Sequence, residues 1–302
     1  MKRKINLVGQ NTLTVSLPSK WAKKYNLNKG DELDVVEDGG DVIIRTSNEK
    51  KEKKTKIKVH GSFKLIRRYI LSTFRRGYDE VYIEFDDSSV IEHIQDALDI
   101  MMGFEIVHQG KNHCIIKNLT NVIETEYDSL MRRFFLITLA ISEHVLKAFK
   151  KNDIMELNNV YQLENTQNKI YLTISKIIIN KGHILFNYPL FVFVLIDLIE
   201  EVADNYRDLS MFYNNKKIKL SKQTLRLLEI STEYLRDVYD LYYKFTPEKA
   251  EVIYNKREEI KTKGEDLLQK APRNETVLIS YLLSNSQLIY KSASSIFSLN
   301  VK

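Results

Sequence analysis

Glu200, Asp204 and Asp208 recur at i, i+4 and i+8, so on a helix their carboxylates share one face. Carboxylates so spaced can converge on a hard or borderline cation, a divalent or iron-type metal. Arg207 lies three residues after Asp204, close enough to partner it, and in that case the set is an ordinary polar helix face. A second chemistry sits at the other end of the chain. Lys2, Arg3, Lys4, Lys20, Lys23 and Lys24 fall within the first 24 residues, a stretch without an acidic residue. Cations gathered in this way suit the phosphates of DNA, whose neutralisation supplies most of such affinity. Asn11, Thr12 and Thr14 stand between the two basic clusters and are candidates to approach base edges.

No catalytic arrangement accompanies these groups. There is no Gly-rich phosphate loop, no His-Glu-x-x-His and no Gly-x-Ser-x-Gly. His60, His93, His108, His113, His144 and His183 are scattered, and Glu143 and His144, being adjacent, do not face each other on a helix. The chain therefore reads as a non-enzyme. Cys114 is the single cysteine, which excludes a disulfide framework and a Cys-rich metal site; its place in an apolar run predicts a buried β position.

The basic residues need a rigid carrier. Leu13 to Leu17 alternates apolar and small polar residues and predicts a half-buried strand. Pro18 stops it, and Ser19 is placed to cap a short helix carrying Trp21, Ala22 and Tyr25. A turn at Asn28-Lys29-Gly30-Asp31 follows, then a hairpin of residues 32–36 and 41–45 around Asp38-Gly39-Gly40. A unit of this size buries too little surface to be comfortably stable alone, which predicts a homodimer.

With 302 residues, 43% of them hydrophobic and 28% charged, the chain suits a soluble protein of two or three domains. A net charge of +6 allows a polyanionic partner without demanding one. The longest apolar run, Tyr188 to Ile196, is too short to span a bilayer and predicts a buried helix, so no integral membrane protein is expected. The amino terminus lacks an apolar signal region, which predicts a cytoplasmic protein.

The expected divisions are 1–47, a β domain; 57–118, a mixed α/β segment; and 122–302, a helical bundle. Residues 48–56 read as a charged linker. The middle segment predicts a strand at 57–59, a helix at 63–75, a strand at 80–85, a helix at 89–102 and a hairpin of 104–107 with 114–116. Arg67, Arg68, Arg75 and Arg76 read as a solvated helix face. Helices are predicted at 125–150, 153–181, 187–214, 221–244, 247–270 and 274–298, parted by breakers at Asn152-Asp153, Lys181-Gly182, Asn214-Asn215, Thr246-Pro247 and Ala271-Pro272. Short turns between such helices mean an up-down bundle, and the six read as three plus three. The fold class is α+β multidomain.

Two resemblances follow. Lys2-Arg3-Lys4, the phrase Thr14-Val15-Ser16-Leu17-Pro18-Ser19-Lys20-Trp21-Ala22 and the tail from Leu27 to Val35 resemble the AbrB/MazE/SpoVT family of swapped-hairpin DNA-binding domains. That resemblance implies two copies interleaving their hairpins and presenting basic residues to DNA. The tandem three-helix pattern, with Leu198-Ile199-Glu200-Glu201-Val202-Ala203-Asp204-Asn205 and the stretch Ala148 to Asp153, resembles PhoU, the phosphate-uptake regulator family. It implies Glu200 and Asp204 as metal ligands, from the family's Glu-x-x-x-Asp motif. In the second half the matching stretch is Gln287 to Lys291, where an ammonium replaces a carboxylate, and Asn205 stands where a histidine is usual. At most half of that metal equipment is retained.

Together the resemblances imply an archaeal PhoU-type regulator: a dimeric DNA-binding head and a bundle that senses a signal or partner in phosphate homeostasis. Two rivals are an adaptor docking on a phosphate transporter or its sensor kinase, and an antitoxin-like head, which usually carries a shorter tail. Operator and effector are not legible.

Overall fold

The computed structural model describes residues 1–46, 52–120, 126–214, 216 and 218–301. The chain divides into two compact units, Met1–Lys51 and Glu52–Lys302. The first four residues of the expected linker, the first residue of the helix expected from 125, and the breaker residue Asn215 lie outside the described residues.

In the first unit β1 (Ile5–Val8) pairs antiparallel with β2 (Thr12–Val15), Ile5 opposite Val15 and Leu7 opposite Leu13. No separate strand was expected at β1. Pro18 ends the extended stretch and α1 (Ser19–Lys24) follows. Ser19 does not cap this helix as expected: Pro18 holds the cap position, and Ser19 is already the first helical residue. The turn before β3 is closed by Asn28 N–H donating to Asp31 Oδ2 at 2.7 Å. β3 (Leu33–Asp38) and β4 (Asp41–Thr46) make the predicted hairpin, with Gly39 supplying a φ of +58° in the two-residue loop.

The expectation of a half-buried strand at Leu13–Leu17 is corrected. Every residue of β1 and β2 is exposed. Ile5, Leu7, Leu13 and Val15 keep between 49% and 68% of their surface in water. They form one face of the β1–β2 ribbon, and a single copy of the head has nothing to lay over them.

The second unit begins with a four-stranded sheet in the order β5-β6-β8-β7, from β5 (Lys54–Lys58), β6 (Glu80–Glu84), β7 (Phe104–Gln109) and β8 (His113–Asn118). β5 and β6 are parallel, joined through α2 (Phe63–Arg75); the other pairs are antiparallel. The supposed linker thus runs into β5, where Lys54, Lys56 and Lys58 alternate toward solvent and pair with Glu80, Glu84 and Asp86. The opposite face buries Val81, Ile83, Cys114 and Ile116 with Ile66, Ile70 and Phe74 of α2 and Ile94 of α3 (Val90–Leu98). α3 stops at Leu98 instead of running to 102 as expected.

Six long helices follow: α4 (Tyr127–Lys151), α5 (Leu157–Leu185), α6 (Pro189–Tyr213), α7 (Lys222–Tyr243), α8 (Pro247–Lys270) and α9 (Arg273–Asn300). A 3₁₀ turn, Ile154–Glu156, leads into α5. The first three helices pack on one another, as do the last three, and the halves join along α6–α9 and α4–α7. Ser221 and Thr246 cap α7 and α8 by accepting from Thr224 and Lys249 N–H, and Pro247 stands at the first position of α8. Gly182 is not the breaker expected. It lies inside α5, where an added Cβ would come within 2.8 Å of Pro189 Cβ, so its hydrogen lets α5 approach the start of α6.

α2 is anchored on α5. Asn180 Nδ2 donates to the carbonyls of Arg75 (3.1 Å) and Lys176 (2.8 Å). The Lys176 ammonium lies 4.7 Å from the Phe74 ring centre, and the Arg75 guanidinium 5.1 Å from that of Tyr171. Arg75 therefore departs from the solvated face expected of it. Gly77, at φ +74°, ends α2 directly against the Asn180 amide, and a methyl there would collide with it. Gly77→Ala combines a disfavoured φ with loss of this anchor, and should lower stability by about 1–3 kcal/mol, read as an earlier denaturant midpoint of the second unit's helical signal.

Candidate nucleic-acid interface and acidic helix face

The β1–β2 register sorts the head's side chains. Ile5, Leu7, Leu13 and Val15 take one face, while Thr14 opposes Asn6 and Thr12 opposes Val8 on the other. Thr12 and Thr14 are thereby brought together on the polar face, Thr14 Oγ1 donating to Asn6 O at 3.3 Å. Asn11 sits apart, in the turn between the strands. Lys2, Arg3 and Lys4 lead into β1, and Lys20, Lys23 and Lys24 ride on α1, Lys24 with its ammonium 5.4 Å from the Tyr25 ring centre. All six cations are exposed, and among the described residues none forms an ion pair with a carboxylate. Asn6 was missed; its signal was the alternation out of phase with Ile5 and Leu7.

On α6 the three spaced carboxylates do not act as one set. Arg207 Nη1 donates to Asp204 Oδ1 at 2.7 Å and to Glu164 Oε1 of α5 at 2.5 Å, and Nη2 donates to Asp208 Oδ1 at 2.9 Å. The i,i+3 pairing of Arg207 with Asp204 anticipated from spacing is present. Glu164 is buried and also accepts from Asn168 Nδ2 at 2.7 Å. Burial raises its carboxyl pKa, against the opposing pull of Arg207. Glu200, half-buried, stands without a hydrogen bond or ion pair among the described residues. Burial first, then Asp204 and Asp197, push its carboxyl up to about 8, with Arg75 opposing. Asp197 in turn accepts from the Tyr171 hydroxyl. Sequence reasoning missed Glu164, Tyr171, Asp197 and Arg75, which come from three helices; only Asp197, one turn before Glu200, left a trace in spacing. Among the described residues no group of three or more His, Cys, Asp or Glu side chains is arranged to hold a metal ion.

In the second half Gln287 Oε1 accepts from Arg257 Nη2 of α8 at 2.7 Å, and Lys291 is exposed. Asn205 donates to Asn285 Oδ1 at 2.8 Å, so it ties α6 to α9. His144 does have an acidic partner: its Nδ1 lies 2.9 Å from Glu156 Oε2.

With this geometry in view, comparison with known proteins is informative at one end of the chain. Residues 8–55 match the family described as antidote-toxin recognition MazE, bacterial antitoxin. The head is similar to the MazE antitoxins. Its fusion to a helical part is a feature of this chain, which is α+β and multidomain. A search of curated proteins finds no match. Among solved structures, the crystal structure of the phosphate transport system regulatory protein PhoU from Streptococcus pneumoniae aligns at 14% identity and a TM-score of 0.48, over 59% of this chain and 96% of that one. Among the described residues no helix is long and apolar enough to cross a membrane.

Two outcomes are expected of the acidic face. Arg207→Ala strands the buried Glu164 and should cost about 3–5 kcal/mol, measured by denaturant titration; an unchanged midpoint would show the pair to be dispensable. Glu200 has a folded pKa above its unfolded value of 4.5, so the folded state binds its proton more tightly. Its charge then costs stability increasingly as pH rises from 4.5 to about 8. Glu200→Gln, in chelator, should raise the melting temperature at pH 8 and leave it unchanged at pH 4.

Proposed function

We propose that this chain is a dimeric, cytoplasmic DNA-binding regulator of phosphate uptake or homeostasis. The head grips DNA, and the bundle receives the signal or partner, with a phosphate transporter or its sensor kinase as the candidate partner. The observation that carries the reading is the two-sided β1–β2 ribbon. One face is a bare row of Ile5, Leu7, Leu13 and Val15, which asks for a second copy. The other holds Thr12 and Thr14, and basic residues flank the ribbon in chain order. Dimerisation doubles Lys2, Arg3, Lys4, Lys20, Lys23 and Lys24 into one cationic surface. Similarity of residues 8–55 to MazE antitoxins supports this use of the head. The phosphate part rests on the likeness of Leu198–Asn205 to the PhoU motif and on the two-by-three helix arrangement. A metal at Glu200 and Asp204 belongs to the same reading as an optional ligand of α6.

The test is titration of labelled duplex at several salt concentrations. Removing one cation that neutralises a phosphate should reduce the log–log salt slope by about 0.9. Arg3→Ala with Lys4→Ala removes two cations from each copy and should weaken binding to all sequences and flatten that slope by up to about 3.6 per dimer. Changing Arg67 and Arg68 should do little. Full-length protein without salt-sensitive binding to any duplex would overturn the regulator in favour of the adaptor. Dimerisation is read separately: the head's melting temperature should rise with protein concentration.

A further inference from the structure

Buried donors without an acceptor gather where α7, α8 and α9 meet. Tyr234 of α7 is fully buried, and its hydroxyl has no hydrogen-bond partner among the described residues. Arg257 of α8 reaches the same place: burial pushes the Tyr234 hydroxyl pKa up, and the Arg257 guanidinium pulls it back. Arg257 Nη2 donates to Gln287 Oε1 of α9 at 2.7 Å, while Nη1 is buried and unpartnered. Arg207 and Arg257 differ in the charges around them. Arg207 faces Glu164, Asp204 and Asp208, whereas half-buried Arg257 forms no ion pair among the described residues. Asp237, which also acts on the Tyr234 hydroxyl, is engaged by Lys256. Lys291, one helical turn beyond Gln287 on the same face of α9, is exposed and likewise lacks an ion pair among the described residues.

We propose that this three-helix junction binds a small tetrahedral oxyanion, held by Arg257 and Tyr234. A buried N–H or O–H without an acceptor is costly, and two of them at one place call for a shared acceptor. Water could accept from both, but it would leave the half-buried guanidinium charge uncompensated. An acceptor with negative charge satisfies the bonds and the charge together. A tetrahedral ion also presents oxygens in several directions, which suits donors arriving from separate helices. Access comes from the neighbouring turn. Tyr290 of α9, close enough to act on the Tyr234 hydroxyl, also lines a hollow of about 200 Å³ between α8 and α9. Tyr254, three residues before Arg257, lines the same hollow and meets Tyr290 edge-on, with ring centres 6.4 Å apart. The site goes beyond the reading above and needs neither DNA nor a metal.

The experiment is calorimetric titration of full-length protein, dialysed into a chloride buffer, with inorganic phosphate and separately with sodium sulfate. At least one of the two should bind saturably, one ion per chain, and raise the melting temperature as its concentration rises. Binding of both marks a general oxyanion site; binding of phosphate alone marks a site that selects for that ion. Tyr234→Phe keeps the buried ring and removes only the hydroxyl. It should weaken binding at least about tenfold, the worth of a hydrogen bond to a charged group. Arg257→Gln should weaken it at least as much. Arg3→Ala with Lys4→Ala should leave the affinity unchanged, which separates this site from the cations of the head. The site is overturned if neither ion binds saturably, or if binding is lost in the head variant and kept in the two bundle variants. Tyr234→Phe decides where the bundle variants disagree or Arg257→Gln does not fold: binding equal to the parent's overturns the site, and the buried donors then hold water.

Discussion

The head cannot bury its own apolar side chains, and the organisation of the chain follows from that deficit. No described side chain of residues 1–46 is buried. Ile5, Leu7, Leu13 and Val15 lie in one row because the register pairs Ile5 with Val15 and Leu7 with Leu13. Fully covering such a side chain is worth roughly 1.5–3 kcal/mol. With 49–68% of each side chain still exposed, four from each of two copies would supply on the order of 7–15 kcal/mol gross, comparable with an association cost of about 4–15 kcal/mol. A monomer recovers none of this. In the dimer proposed above, the pairing that covers this row also doubles the cations of the head.

The second unit meets the opposite problem. It has apolar surface enough for its own core and must place charges within that packing. α6 carries the burden: its inner side packs on α5 and α9, and its polar edge meets Glu164 of α5. A buried carboxylate with a guanidinium partner adds little net stability compared with an apolar pair, but losing Arg207 would leave Glu164 buried without a cation, whereas Arg207 keeps Asp204 and Asp208 if Glu164 is lost. The pairing therefore acts on register, since a slip of α5 along α6 would take Arg207 from Glu164. Asn205 with Asn285 does the same between α6 and α9. Together they fix α6 between the two halves.

The fold was legible where periodicity and breakers agree. The two-residue loop at Gly39–Gly40, α2 and the six long helices fall close to their expected limits, α8 at the same residues. Failures have physical causes. The half-buried strand assumed a core that one copy does not possess. Gly182 reads as a breaker in one dimension, and only the neighbouring helix shows why a hydrogen is needed there. The charges of residues 48–56 suggested a linker, yet from Lys54 on the chain is a strand whose alternate lysines are paired across to Glu80 and Glu84. The basic cluster and the Thr12–Thr14 pair were visible in sequence because they are local. The acidic face was visible only in part, since Glu164, Tyr171 and Arg75 reach it from other helices.

That last point bears on how the acidic face is tied to the rest of the second unit. β5 follows the head along the chain, and α2 is the next helix after β5. α2 is held to α5 by Asn180 at its carboxyl end and by Arg75 on the Tyr171 ring. Tyr171 donates to Asp197, one helical turn before Glu200. A change of charge on the acidic face thus acts on Arg75 through one shared side chain and through the field that Arg75 already exerts on Glu200. Within the second unit, the Arg75–Tyr171 pair joins α2 to the helix pair that carries the acidic face.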